Sequence, residues 1–139
     1  MNRGLTEKLL KKYPVVFGQH KLPMNQTAMC WGFECGDGWH TIIDALASII
    51  QCENKRHQEA SKKTYFMQAI QVKEKYGTLR FYMGFETDYV SGAIAMAEEM
   101  SARTCELCGS TQNVSQSEGW ISTLCDKCHK KREDEKENI

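Results

Sequence analysis

Two pairs of cysteines hold the clearest chemistry in this chain: Cys105-Glu106-Leu107-Cys108 and Cys125-Asp126-Lys127-Cys128, with sixteen residues between them. Two residues between cysteines let one tight turn aim both sulfurs at one ion, and two such pairs complete a tetrahedron. The spacing predicts one structural Zn2+ on Cys105, Cys108, Cys125 and Cys128; a disulfide pair is the alternative. His129, next to Cys128, is the alternative fourth ligand. Four thiolates close the coordination sphere, whereas catalytic zinc keeps an open position on about three protein ligands. The His-x-Glu and Pro-Cys-x2-Cys pattern of the zinc deaminases is missing.

The remaining ionisable groups of note lie in two dense stretches. Residues 28–39 read Ala-Met-Cys-Trp-Gly-Phe-Glu-Cys-Gly-Asp-Gly-Trp, which suggests a buried extended segment, a tight turn and then a helix. Asp37 stands where that helix should be capped, its carboxylate accepting free N–H groups of the first turn. Asp37 near His40 could also serve acid–base or metal chemistry, against a structural role for Asp37 as cap and for Glu34 as an ion-pair partner of Lys73 or Arg80. Trp31, Glu34, Asp37, His40, Lys73, Arg80 and Tyr82 form the candidate binding surface.

The elements that must position these groups follow from periodicity. Residues 5–13 read as a short helix with Leu5, Leu9 and Leu10 as its stripe, ended by Pro14. Residues 38–52 predict a central helix, with Trp39, Ile42, Ile43, Leu46, Ile49 and Ile50 at helical spacing. The polar residues 53–63 are either that helix running into solvent or an exposed loop, with a solvated face the simpler account.

Residues 65–85 read as a β-hairpin turning at Gly77, with Ile70, Val72, Leu79, Phe81 and Met83 on the apolar face and Lys73, Arg80 and Tyr82 on the other. Thr87 or Asp88 caps a further helix running to about Arg103, with Val90, Ile94, Ala97 and Met100 inward. That helix leads directly into Cys105. After it come a zinc knuckle at Cys105–Gly109, two short extended runs with Trp120, Ile121 and Leu124 to cover the metal, and a helix from Cys125 onward. This is a treble-clef-like order.

The expected fold is therefore α+β: helices packed on a β-hairpin or small antiparallel sheet, with a C-terminal zinc module. The expected division is a core at 1–103, a zinc module at 104–132 packed on it, and a charged tail at 133–139. The chain has 139 residues, enough to bury about two-thirds of its unfolded surface in one domain. Lys plus Arg and Asp plus Glu number 18 each, so no global basic field gathers nucleic acid or an anionic membrane. Local basic character remains: Lys73, Lys75, Arg80 and Tyr82, with Lys127, Lys130 and Lys131, could make a nucleic-acid surface.

No apolar run spans a membrane, and no signal-peptide core follows Met1. Seven cysteines, an odd number, fit a reducing cytoplasm, with Cys30, Cys35 and Cys52 read as small buried hydrophobes.

Three strings carry a resemblance: Cys30-Trp31-Gly32-Phe33-Glu34-Cys35-Gly36-Asp37-Gly38-Trp39, the run Gln71-Val72-Lys73-Glu74-Lys75-Tyr76-Gly77-Thr78-Leu79-Arg80-Phe81-Tyr82, and Ser101-Ala102-Arg103-Thr104-Cys105-Glu106-Leu107-Cys108-Gly109. With Gly119-Trp120 and Thr123-Leu124-Cys125-Asp126, the chain resembles a family of small, uncharacterised proteins of tailed bacteriophages and prophages. The resemblance extends from about Leu9 to Cys128. It implies a phage or prophage setting and the cytoplasm of the bacterial host. It also implies a last metal position that varies between Cys and His, and a packing role for Cys35. It carries no catalytic residue. The function expected is that of a phage accessory protein that binds a host or phage macromolecule and modulates a host or defence protein. A nucleic-acid binder is the second reading, and a small-ligand binder or enzyme at Glu34, Asp37, Lys73 and Arg80 the third.

Overall fold

A computed structural model describes residues 1–61 and 66–139. The predicted hairpin start at Tyr65, and the end of the polar stretch at Lys62 and Lys63, lie outside the described residues. The N-terminal helix α1 (Arg3–Lys12) is capped by Asn2, whose side chain accepts the Leu5 N–H, and Leu9 is its buried residue. A two-residue strand, β1 (Phe33–Glu34), leads through one short 3-10 turn at Asp37–Trp39 into the long helix α2 (His40–Ser61). Strands β2 (Ala69–Lys75) and β3 (Thr78–Met83) make the hairpin, and helix α3 (Asp88–Ser101) follows, capped by the Thr87 hydroxyl.

The sheet is mixed. Its order is β1-β2-β3, with β1 parallel to β2 and β3 antiparallel to β2. The expected hairpin is the antiparallel β2–β3 pair; β1 adds a parallel strand that two residues are too few to show as a period. The hairpin register also carries a bulge between Ala69 and Gln71. The bulge moves Ala69 and Val72 into the core and leaves Ile70 half-buried, so the expected Ile70–Val72 alternation breaks there. Helix α3 lies over the β3 edge: Ser101 Oγ accepts the Leu79 N–H at 2.8 Å, and Glu98 Oε1 accepts the Phe81 N–H at 3.4 Å. An edge whose donors are taken by a helix cannot recruit another strand.

One continuous core runs from Leu9, Tyr13 and Phe17 through Met29 and Phe33 to Trp39, Ile43, Leu46 and Ile50 of the α2 region, Val72, Leu79 and Phe81 of the sheet, and Val90 and Ile94 of α3. Phe17 sits at its centre, edge-on to Phe33 at 4.9 Å and to Phe81 at 6.1 Å between ring centroids. Ile49 and Met100, expected inward, are partly exposed at 36% and 46%. The polar continuation of α2 is more than a solvated face. Glu53 and Asn54 are buried, and Asn54 clamps the backbone of Met67, donating to its carbonyl at 3.0 Å and accepting its N–H at 2.8 Å.

The C-terminal part comprises β4 (Val114–Gln116) paired antiparallel with β5 (Thr123–Cys125), then helix α4 (Asp126–Glu137). Its own buried apolar cluster contains Cys105, Leu124 and Cys125, with Val114 and Cys128 packed against it.

Candidate metal centre and the cradle that holds it

Both cysteine pairs sit where backbone geometry is tightly specified. In the knuckle, the Gly109 N–H donates to the Cys105 carbonyl at 2.9 Å and the Cys105 N–H to the Ser110 carbonyl at 2.8 Å. Gly109 takes φ +81°, the left-handed conformation that closes the turn and that favours glycine. The second pair straddles the start of α4: Cys125 is the residue before its first turn and Cys128 lies within that turn. The ligand atoms of Cys105, Cys108, Cys125 and Cys128 all lie within 4.8 Å of one another, and the Cys108 and Cys125 sulfurs are 3.7 Å apart.

That distance discriminates between the two expectations. A disulfide needs sulfurs about 2.05 Å apart. Four sulfurs each ~2.3 Å from a tetrahedral zinc stand ~3.8 Å from each other. The Cys108–Cys125 pair has the second spacing, the other sulfurs lie within 4.8 Å, and none of the seven cysteines is in a disulfide. Four close cysteines could thus hold one metal ion.

Electrostatics favour a cation there. Burial works against a charged Cys105, but N–H groups of Cys125, Cys108 and Leu107 outweigh it and hold its thiol down to about 7. Cys128 goes the other way, up to about 12, through burial and then the three neighbouring sulfurs. One thiolate is stabilised by the backbone; four together need positive charge between them.

His129 stands outside the cluster. Its Nε2 faces the Ser115 carbonyl at 3.2 Å and the Ser115 hydroxyl at 3.4 Å, which pins α4 to β4. Trp120, expected to cover the metal, is 85% exposed at the tip of the β4–β5 turn; Leu124, fully buried, packs with Cys105 and Cys125.

The densest stretch of the sequence turns out to be the seat of the knuckle. The Gly38 N–H donates to the Glu106 carbonyl at 2.7 Å, the Gly36 N–H to Glu106 Oε2 at 3.1 Å, and the buried Trp39 indole N–H to the Thr104 carbonyl at 2.9 Å. A Cβ on Gly36 would fall 2.3 Å from the Glu106 carbonyl oxygen, and one on Gly38 2.1 Å from that of Cys105. Both glycines are therefore required by backbone-to-backbone contact. The sequence signal was the Gly-Asp-Gly itself, but a tight turn explained it equally well.

Asp37 is not the helix cap. The turn that opens at Asp37 has no side-chain cap, and the Asp37 carboxylate instead accepts from the Asn2 backbone N–H at 2.6 Å and the Asn2 side chain at 2.9 Å. The Met1 amine adds bonds to the carbonyls of Phe33, at 3.3 Å, and Cys35. One loop thus grips α1 on one side and the knuckle on the other. Cys35, inside it, is buried, and burial pushes its thiol up to about 12, which makes it packing and not a nucleophile.

The other candidate residues divide. Glu34, Lys73 and Arg80 are brought together as a cross-strand row, since Glu34 pairs with Lys73 and Lys73 with Arg80. Arg80 faces Glu98 of α3 at 3.7 Å. Tyr82 follows one step along β3, opposite Gln71, and is 39% exposed. Trp31 is 62% exposed just before β1. His40 lies apart, lining a cleft with Lys8, Leu9, Lys11, Lys12 and Asp44. Its Nε2 is buried without a hydrogen-bond partner among the described residues.

No helix among the described residues is long and apolar enough to cross a membrane. The chain matches no family model, no curated protein and no solved structure.

Proposed function

We propose that this chain is an accessory protein of tailed-phage or prophage origin that works in the cytoplasm of a bacterial host by binding a macromolecule, with its metal, zinc, serving as a staple. The carrying observation is the four-sulfur cluster at zinc-like spacing, clamped by backbone hydrogen bonds to the loop at Gly36–Gly38. Four thiolates fill a tetrahedral zinc and leave no place for a reacting water. The order of knuckle, hairpin and ligand-bearing helix supports a treble-clef reading of the module. Two of the candidate groups are engaged structurally: Asp37 by Asn2, and Arg80 beside Glu98.

Two measurements test this. Elemental analysis of the purified chain should return one zinc per molecule; a folded preparation with none refutes the staple. Affinity capture of the tagged protein from infected cells should return one stoichiometric partner, protein or nucleic acid, that disappears when Cys125→Ser disrupts the module. Capture of nothing across salt conditions refutes the binding role.

A further inference from the structure

The tips of the two hairpins meet, and the cleft between them has a chemistry that the metal centre does not use. It encloses about 520 Å³ and is lined by Lys73, Glu74, Lys75 and Tyr76 from the first hairpin and Gly119, Trp120 and Ile121 from the second. Its walls are fixed. Thr123 Oγ1 donates to the Gly77 carbonyl at 2.5 Å, and the Gly77 backbone is so close to Ile121 that a Cβ there would meet Cγ2 at 2.8 Å. The Trp120 turn is pinned as well, with Ser117 Oγ donating to the Trp120 carbonyl at 2.8 Å and accepting the Ser122 N–H at 2.9 Å.

Two large aromatic side chains are held out to solvent on this rigid frame: Trp120 is 85% exposed and Tyr76 70%. Tyr76 also takes φ +53°, next to Gly77 at +80°. A two-residue hairpin turn with both residues left-handed ordinarily selects Asn or Asp before Gly, and a bulky residue there is strained. Strain at an aromatic that is mostly exposed fits a contact made outside the fold.

The charges fit one class of ligand. Lys75 Nζ lies 5.7 Å from the Tyr76 ring centroid, and Lys73 is a half-buried neighbour on the same wall. Glu74, the carboxylate in the lining, has Oε1 occupied by the Gly77 N–H at 2.8 Å. Glu118 is the further exposed acid in the Trp120 turn, and Glu34 stands across the strands from Lys73. Flat π-faces flanked by ammonium groups suit stacked bases linked by phosphates.

We infer that the Tyr76–Trp120 cleft is a binding site for single-stranded nucleic acid, stacking one or two unpaired bases between the rings while Lys73 and Lys75 take the flanking phosphates. This rests on the reading of the chain as a macromolecule binder and names the macromolecule. A paired duplex keeps its bases stacked on each other and cannot offer them to the rings. Because only two lysines meet phosphates, salt dependence should be shallow: two contacts at about 0.7 each give a log–log slope near −1.4.

The test is fluorescence anisotropy of the metal-loaded full chain with labelled DNA and RNA single strands of about twelve nucleotides, set against a matched duplex and inorganic polyphosphate. Single strands should bind with the shallow slope and quench tryptophan emission. Trp120→Ala and Tyr76→Ala should each weaken binding about tenfold or more, while Tyr76→Phe, which keeps the ring, should not. Trp120 is exposed enough that its removal should leave metal content and circular dichroism unchanged. Absence of binding at low salt, equal affinity for duplex, or displacement by polyphosphate with Trp120→Ala unaffected would each overturn the inference. If affinity capture meanwhile returns a protein, the binding role stands and the nucleic-acid assignment alone falls.

Discussion

The core and the C-terminal module have different sources of stability. The core buries Trp39, Tyr13, Phe17, Met29 and a run of Leu and Ile side chains almost completely, each worth about 1.5–3 kcal/mol of transfer from water. The module's buried apolar cluster is Cys105, Leu124 and Cys125, two of them ligands, and its helix α4 buries no residue. Below about 40 residues a chain rarely folds without a metal, disulfides or a partner. What joins the regions is mostly backbone: the Gly36–Gly38 loop laid on the knuckle, the Trp39 indole on Thr104, and Thr123 on Gly77. The core therefore positions the module, and a metal held by the four cysteines would supply the module's own cohesion.

The sharpest way to break this comparison is to remove the metal. Chelation, or Cys105→Ser, should melt the part from the knuckle onward while the core keeps its helical signal and its buried Trp39. Structural zinc contributes about 10–16 kcal/mol to small modules, so this is the largest effect expected. Hydrogen exchange before and after chelation checks it. Protection should vanish across β4, β5 and α4 and persist in α2, β2 and β3; uniform loss would show that the regions fold as one unit.

A smaller effect should come from the contact itself. Gly38→Ala places a methyl 2.1 Å from the Cys105 carbonyl oxygen and 2.6 Å from the Gly109 nitrogen, both backbone atoms that cannot swing aside. The knuckle must lift off or distort, at a cost of about 1–3 kcal/mol or more. Thermal unfolding should show a lowered and broadened transition, and zinc should exchange faster with a chromophoric chelator. Gly92→Ala, inside α3 with open space around it, is the control, expected to stabilise slightly, by about 0.4–1 kcal/mol.

The convergence of the four cysteines was legible because ligand spacing is local: two residues between sulfurs define a turn whatever surrounds it. Helix periodicity was legible for the same reason in α2 and α3, where the predicted stripe through Trp39, Ile43, Leu46 and Ile50 is the buried one. What stayed hidden depends on partners distant in sequence. Asp37 looks like a cap from its neighbours, and only the approach of Asn2 from 35 residues away shows otherwise. Gly36 and Gly38 look like turn residues until Glu106, 70 residues from Gly36, packs against them. The bulge at Ile70 and the two-residue β1 left no period to read. Trp120 sits in a run that could as well cover a metal as face solvent, and its position is settled by Leu124 taking the inner place.

The smallest expected effect lies at the far side of the core, where a polar contact adds to the packing of Leu9 and Tyr13 that holds α1 to α2. Asp44 Oδ1 accepts from Lys12 Nζ at 2.9 Å and from the buried Tyr13 hydroxyl at 2.8 Å. Burial tends to raise the Asp44 pKa, but the bonds from Lys12 and Tyr13 outweigh it and hold it below 3.8. A carboxylate held lower in the folded state than in the unfolded one stabilises the fold when ionised. That contribution is fully present above the ordinary value of 3.8 and is lost as pH falls through the lowered one. Asp44→Asn should therefore lower the melting temperature slightly at neutral pH, and the gap from the parent should close on acidification below 3.8. Since protons also strip thiolates from zinc, the comparison is made on the core's own signal, the near-ultraviolet band of buried Trp39 and Tyr13. A gap that widened on acidification would mean that Asp44 is bound more tightly as the neutral acid, and that its ionised form adds nothing to the hold on α1.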